Sequence, residues 1–428
     1  MVYNKAVEYL ALIRNRNFTK LWLAQILSQV GQNLINFSLI ILVFNLAAGS
    51  RFANVSVSLL VLSVGLPALL FASMAGVYVD YWDRRKVLVV TNILRGILIV
   101  GYVFVDGSLG LILLLTFIIS IIMQFFIPAE TATIPSIVPK KQLLSANGLF
   151  VFSIYASFIL GYSGSGPAVR MLGEHGPYIL VAAMMLLAAL LTAFLPSQHH
   201  HRAGVRPPRP RLIKTIVENW RLIRERPDRF YSISQLTITQ AIVSVLITLA
   251  PALSLALLHI PLQEASHILV IPVGVGMVLG VLLVNPLGKA GGKTAVIQAG
   301  LIIAACTLIA LGLSGQFYRE YHGEAILSTT TIAMIVAILM LILGLINALI
   351  SATAQTLLQE STGDDNRGKV FASLNMMINL ASTVPILLSG VLADLLSVTK
   401  VTIILGLLLG AYAIYMLRHY RTVIQART

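Results

Sequence analysis

The sequence predicts an all-α membrane protein with about twelve transmembrane helices, arranged as two bundles of six. Its 428 residues are 57% hydrophobic and only 11% charged, whereas a soluble domain carries about 25% charged residues. Continuous apolar runs of about 20 residues, the length that crosses a bilayer as a helix, recur from Phe18 almost to the end. Because lipid cannot hydrogen-bond to a backbone, these runs must be helices or a closed barrel, and a barrel would show shorter, alternating segments.

Each apolar run marks one predicted span. The spans are placed at residues 18–47, 55–79, 87–105, 109–128, 145–169, 177–195, 230–258, 265–287, 294–314, 328–358, 367–393 and 399–417. A long polar segment divides them, which predicts an N-terminal bundle at 1–195, a cytoplasmic linker with an amphipathic helix at 196–229, and a C-terminal bundle at 230–428. The triplet His199–His201 falls in this linker, where a solvated segment is the expected state.

The distribution of basic residues predicts the orientation. With the spans above, 25 of the 30 Lys and Arg residues fall on one side, four fall on the other, and Arg95 lies within span 3. Basic loops stay in the cytoplasm, so we expect a multi-pass protein of the bacterial inner membrane with both termini cytoplasmic. The net charge of +14 is then explained by topology and by contact with anionic lipids rather than by nucleic acid.

Several classes of function lack the residues that they need. The eight histidines form no cluster outside the linker, the single cysteine lies within a span, and no phosphate-binding glycine loop occurs. We therefore expect no enzyme activity, no bound metal, no cofactor and no ATP-driven transport. The expected partners are a small-molecule substrate and membrane lipids, and the expected state is a monomer.

A short loop between spans 2 and 3 carries the most specific motif. It reads Gly-Val-Tyr-Val-Asp-Tyr-Trp-Asp-Arg-Arg-Lys from Gly76 to Lys86, with acidic residues at Asp80 and Asp83 and basic residues at Arg84 and Arg85. An acidic side chain at a helix end can accept hydrogen bonds from a neighbouring helix N-terminus, where the macrodipole favours an anion. A plain basic loop would need neither acid, so the motif indicates a second role.

This motif resembles the signature of the major facilitator superfamily. Segments beginning at Pro128 and Gln355 further resemble the branch of enterobactin exporters and macrolide-efflux proteins. The resemblance implies two six-helix bundles with pseudo-two-fold symmetry and transport by alternating access. It also implies that Asp80 meets the start of span 11 near Arg367, as a latch that closes the cytoplasmic side. The latch residues are Gly76, Asp80, Asp83, Arg84, Arg85 and Lys86.

Polar side chains within the spans form stripes. Four of them fall within an arc of about 60° on span 1, and others share one face of spans 4, 7 and 10. Two explanations stay open, since the stripes either line a substrate cavity or form hydrogen bonds that hold the helices together. The candidate cavity residues are Gln25, Gln29, Gln32, Asn36, Gln124, Gln235, Asn347, Ser351 and Gln355.

Ionisable groups within the spans are scarce. Arg95 would be costly in lipid without a partner, and Glu130 and Asp80 are the candidate partners. Glu130 is also the best candidate for a proton carrier, because burial favours the protonated form of a carboxyl group. A structural ion pair between Arg95 and Glu130 is the equally weighted alternative.

The sequence and the resemblance together predict a secondary transporter. We expect an exporter of a bulky, largely apolar organic molecule, driven by a proton gradient, because the predicted cavity lining is neutral and rich in amides. Import or lipid translocation on the same fold stays an alternative, and a sensor or scaffold without transport is a more remote one.

Overall fold

The computed structural model describes residues 11–105, 107–139, 142–197, 227–320, 329–361 and 367–425. In this part of the chain the secondary structure is helical and contains no strand. The amphipathic helix predicted in the linker, the triplet His199–His201 and the basic residues Lys140 and Lys141 lie outside the described residues.

Twelve long helices follow one another through the described residues, and each is long and apolar enough to cross a membrane. Their bounds are α1 Arg16–Leu46, α2 Ala53–Val79, α3 Arg84–Val100, α4 Leu109–Ile137, α5 Leu143–Leu172, α6 Gly176–Ala193, α7 Pro227–Leu258, α8 Leu262–Gly291, α9 Lys293–Glu320, α10 Thr329–Glu360, α11 Arg367–Leu395 and α12 Val398–Gln425. Each helix overlaps one predicted span, and a short 3-10 turn, Gly101–Phe104, extends α3.

Helix α4 is longer than the sequence predicts. Span 4 was expected to end at Pro128, but the helix continues to Ile137 with both Pro128 and Pro135 inside it. A proline within a transmembrane helix removes one backbone hydrogen bond, and neighbouring groups compensate for it. Glu130 therefore lies within α4 rather than at its end.

The chain divides into two compact units. Unit 1 comprises the described residues of Met1–Leu42 and Leu62–Leu212, and unit 2 comprises those of Val43–Val61 and Ile213–Thr428. The boundary in the N-terminal half thus falls inside α1 and α2, so that the end of α1 and the start of α2 group with unit 2. The predicted boundaries at 195 and 230 stay predictions.

The same kind of helix pair packs in each unit. In unit 1 the third helix, α3, packs against the sixth, α6. In unit 2 the corresponding helices, α9 and α12, pack against each other, and α8 packs closely against α10. The chain's single cysteine, Cys306, is exposed on α9.

One hydrophobic cluster of unit 1 lies where α1, α3, α4 and α5 meet. It includes Phe18, Leu88, Phe126 and Phe150, all of which are buried. The ring of Phe18 lies 5.9 Å from that of Phe150. This aromatic and aliphatic core holds the helices that carry the polar residues of the candidate site.

Candidate functional site

The loop between α2 and α3 is fixed by its own charged residues. Asp83 is the N-cap of α3, where its Oδ1 accepts a hydrogen bond of 3.0 Å from the backbone N–H of Arg85. Its Oδ2 accepts a bond of 2.7 Å from the hydroxyl of Ser197. Arg84 donates through Nη1 to the carbonyl of Ala132 at 2.8 Å, which ties the loop to α4. Asp83 and Arg84 therefore have local structural roles that the sequence analysis did not identify.

Asp80 differs from Asp83, because it is exposed at the end of α2. Gly76 faces open space, since a Cβ atom built on it would meet no atom within 4 Å. The side chains of residues 367–373, at the start of α11, lie outside the described set. The latch between Asp80 and α11 thus stays a prediction.

Arg95 is a fully buried charge of unit 1, with 0% of the residue exposed. Its Nη1 donates to the hydroxyl of Ser28 at 2.9 Å, and its Nη2 donates to Oε1 of Gln32 at 2.8 Å. Its guanidinium carbon lies 5.4 Å from the ring centroid of Phe126, a cation–π distance. Two neutral acceptors on α1 and one aromatic ring on α4 thus stabilise this charge.

Glu130 is the second buried charge of this cluster. It is 6% exposed on α4 and interacts electrostatically with Arg95. Within the described part of the chain its Oε1 accepts no hydrogen bond, so its attraction to Arg95 is not fixed by a direct bond at that atom. A carboxylate held in this way can gain or lose a proton without breaking a hydrogen bond at Oε1.

Further buried polar atoms of unit 1 have unused bonding capacity. Asn92, one turn before Arg95 on α3, is fully buried, and neither its Nδ2 nor its Oδ1 has a partner among the described residues. The same holds for Nε of Arg95 and Oε1 of Gln25. An unpaired buried polar group costs about 1–3 kcal/mol, so each of these atoms would gain from a new hydrogen-bond partner. Ser28 and Asn92 were not predicted from the sequence, although Ser28 lies one turn from Gln32 on the same stripe.

The predicted stripe on α1 splits into two parts. Gln25 is buried, and its Nε2 donates to the carbonyl of Phe150 on α5 at 3.3 Å, a bond that joins two helices. Gln29, Gln32 and Asn36 are half-buried. Gln32 donates through Nε2 to Oδ1 of Asn36 at 2.8 Å. The stripe therefore combines a helix-joining contact with partly accessible amides.

On α4, Gln124 is buried and bonds within its own helix. Its Nε2 donates to the carbonyl of Ser120 at 3.0 Å. This contact satisfies the amide locally.

The polar residues of α7 form a network of their own in unit 2. Gln235 is fully buried and donates through Nε2 to the hydroxyl of Tyr412 on α12 at 3.0 Å. Tyr412 in turn donates to Ser234 at 3.2 Å, and Gln298 on α9 donates to Tyr231 at 2.9 Å. These bonds join α7 to α9 and α12. They favour the explanation in which the polar stripe of α7 holds helices together.

On α10 the predicted residues become more exposed towards the end of the helix. Asn347 and Ser351 are half-buried, and Gln355 is exposed. Oδ1 of Asn347 is buried without a partner in the described residues. The predicted cavity residues of α10 are thus more accessible than Gln235, which is fully buried.

Comparison with known proteins agrees with this architecture. A family profile described as Major Facilitator Superfamily matches residues 21–384 and 247–426. The chain belongs to the major facilitator superfamily. It is thus a multi-pass membrane transporter whose substrate is a small molecule, and the family resemblance of the loop motif is confirmed.

Curated relatives extend over most of the chain. It is 24% identical over 390 residues to an uncharacterized MFS-type transporter, YfiS, of Bacillus subtilis, covering 89% of each chain. It is 23% identical over 410 residues to macrolide efflux protein A of Streptococcus pyogenes, covering 93% of this chain and 94% of the relative. A shorter match of 27% identity joins it to the multi-drug resistance efflux pump PmrA of Streptococcus pneumoniae, over 40% of this chain and 42% of that protein.

Solved structures show the same fold at low sequence identity. A POT family transporter in complex with a thioalcohol-conjugated peptide matches with a TM-score of 0.74 and 12% identity, over 95% of this chain and 96% of that one. The nucleoside transporter NupG matches with a TM-score of 0.70 and 14% identity, over 93% of this chain and 98% of that one.

Proposed function

We propose that this chain is a proton-coupled exporter of bulky, largely apolar organic molecules in the bacterial inner membrane. Both termini are cytoplasmic in this proposal, as the distribution of basic residues predicts. Transport proceeds by alternating access, and the chain carries out no chemical reaction on its substrate. The observation that carries the proposal is the buried pair of Arg95 and Glu130 beside half-buried amides on α1.

The direction of transport is supported by the relatives. Macrolide efflux protein A aligns over 93% of this chain, and the efflux pump PmrA over 40%. Their names describe export of macrolides and of several drugs. We propose export here as well, of molecules with the same general character.

The substrate class is supported by the chemistry of α1. Gln29, Gln32 and Asn36 are neutral and partly accessible, and the charged Arg95 behind them is fully buried. Neutral amides bind uncharged polar groups on an otherwise apolar molecule. A strongly charged substrate would find no charged partner among these three amides.

Proton coupling is supported by the position of Glu130. It is a buried carboxyl group that interacts electrostatically with the buried Arg95, so a change in its charge alters the surroundings of that guanidinium. A neutral Glu130 would attract Arg95 less, so that Arg95 would bind more strongly to Ser28 and Gln32. Protonation of this residue on α4 would then change the hydrogen bonds of the amides on α1. This couples the binding of a proton to the shape of the substrate-binding face.

The test is transport by the purified full chain in liposomes with an imposed pH gradient. A radiolabelled macrolide should accumulate in liposomes with an acidic interior that contain inside-out protein. Glu130→Gln should abolish this accumulation but keep exchange of labelled for unlabelled macrolide. The matched control is Glu174→Gln, a change at an exposed carboxylate of unit 1, which should transport like the wild type.

Two results would contradict the proposal in separate ways. If the Glu130→Gln variant accumulated the macrolide at the wild-type rate, Glu130 would not be the residue that couples transport to protons. If the wild-type protein moved no macrolide in response to the gradient, the proposed export of this class of molecule would be wrong.

A further inference from the structure

Arg95, Gln32 and Asn36 form a hydrogen-bond relay with a fixed direction. Nη2 of Arg95 donates to Oε1 of Gln32 at 2.8 Å, and Nε2 of Gln32 donates to Oδ1 of Asn36 at 2.8 Å. The relay begins at a fully buried guanidinium on α3 and ends at a half-buried amide on α1. Each residue donates a hydrogen bond to the next.

The chemistry of arginine determines this direction. A guanidinium group has only donors, so Gln32 must turn its oxygen towards Arg95 and its nitrogen towards Asn36. Asn36 must then turn its oxygen towards Gln32. The two amides would otherwise be free to rotate by half a turn, because the oxygen and nitrogen of an amide have nearly the same shape.

The relay therefore ends in donors. Nδ2 of Asn36 has two N–H groups and makes no hydrogen bond within the described part of the chain. Because the first bond of the relay is charge-assisted, it polarises the amides that follow and strengthens the last donors. The half-buried position of Asn36 leaves this end within reach of a ligand.

We infer that Arg95 sets the hydrogen-bond polarity of the substrate site, so that Asn36 selects molecules that present an acceptor atom on an apolar body. Such atoms are the oxygens of ketones, esters, lactones and ethers, and aromatic ring nitrogens. This inference rests on the proposed function, since it names the substrate class for the same face of α1. Arg95 acts here as a positioning residue, and Asn36 is the residue that contacts the substrate.

The relay makes an unusual prediction for the variant Gln32→Glu. A carboxylate still accepts from Arg95 but cannot donate to Asn36. Asn36 must then donate through Nδ2 to the new carboxylate and turn Oδ1 outwards. The site changes from one that offers donors to one that offers an acceptor, although Asn36 itself is unchanged.

The experiment measures binding of two probes of similar shape to the purified full chain. Acridine has a single acceptor nitrogen, and carbazole has a single N–H donor; both are apolar, fluorescent tricyclic molecules, and alkaline pH keeps acridine neutral. The wild-type protein should bind acridine about three- to tenfold more tightly than carbazole, the factor expected for one hydrogen bond. Gln32→Glu should reverse the preference, and Gln32→Met, which frees Asn36 to rotate, should abolish it.

The control variant is Asn33→Asp, which adds the same charge on α1 at a half-buried residue outside the relay. It should keep the wild-type preference for acridine. A preference that is absent in the wild-type protein, or that Gln32→Glu leaves unchanged, overturns the inference. Because these measurements are of binding, the inference can fail while gradient-driven macrolide export succeeds, and export can fail while the preference stands.

Discussion

Asp394, near the end of α11, caps the first turn of α2 through Asn54. Its Oδ1 accepts bonds from the backbone N–H of Asn54 at 3.1 Å and from Nδ2 of the same residue at 2.7 Å. Its Oδ2 accepts a bond of 3.0 Å from the backbone N–H of Val55. The first N–H groups of a helix have no partner within it, and here a carboxylate from another helix of unit 2 satisfies them.

The substitution Asp394→Asn should weaken this cap. The carboxamide loses the negative charge that favours a helix N-terminus and one of the two acceptor oxygens. We expect the free energy of unfolding to fall by about 1 kcal/mol. Thermal unfolding of the purified protein in detergent measures it, and an unchanged midpoint would show that the cap is not stabilising.

Gly344 and Gly276 let α10 and α8 approach closely. A Cβ atom on Gly344 would lie 2.0 Å from the carbonyl oxygen of Val273, and one on Gly276 would lie 2.0 Å from that of Leu341. Gly344→Ala should therefore force the two helices apart and cost about 1–3 kcal/mol. Gly410→Ala is the control in unit 2, since its Cβ would meet Ala305 at an ordinary 3.6 Å. Equal melting temperatures of the two variants would contradict the prediction.

The bond between Gln235 and Tyr412 separates the two explanations of the α7 stripe. If it only joins α7 to α12, Tyr412→Phe and Gln235→Met should each lower the free energy of unfolding by about 1 kcal/mol. Neither variant should then change which drugs the protein exports, as measured by growth inhibition across a drug panel. A changed panel for Gln235→Met alone would instead place Gln235 in the substrate cavity.

Asp80→Asn should lower transport several-fold without loss of membrane insertion. Asp80 is exposed and its predicted partner is the N-terminus of α11, where an anion contributes about 0.3–1 kcal/mol. Removal of that contribution shifts the balance between transport states rather than the fold. Flux in vesicles, normalised to the amount of inserted protein, measures the effect. If the variant's flux equalled that of the wild type, the predicted latch would be wrong.

The sequence predicted the helices well because lipid leaves them no alternative. Every span must satisfy its own backbone hydrogen bonds, so each appears as one continuous apolar run. The end of α4 was predicted too early because the prediction stopped at a proline. Pro128 reads as a helix end in a soluble protein, whereas inside a membrane the helix continues to Ile137.

The partners of Arg95 could be predicted only in part. The sequence showed that a buried arginine needs a partner and suggested Glu130 or Asp80; Arg95 interacts electrostatically with Glu130. It could not show that Ser28 and Gln32 supply the direct bonds, because the rotation of α1 against α3 depends on packing. The same limit applies to Gln235, whose bond to Tyr412 depends on how α7 meets α12.

Cys306 gives the wild-type chain a practical advantage for spectroscopy. It is the chain's single thiol, and it is exposed on α9. One added cysteine on a helix of unit 1 would therefore create a defined pair of label positions without removal of any native residue. Distance distributions between two such spin labels could follow the conformational cycle in a protein that is otherwise unaltered.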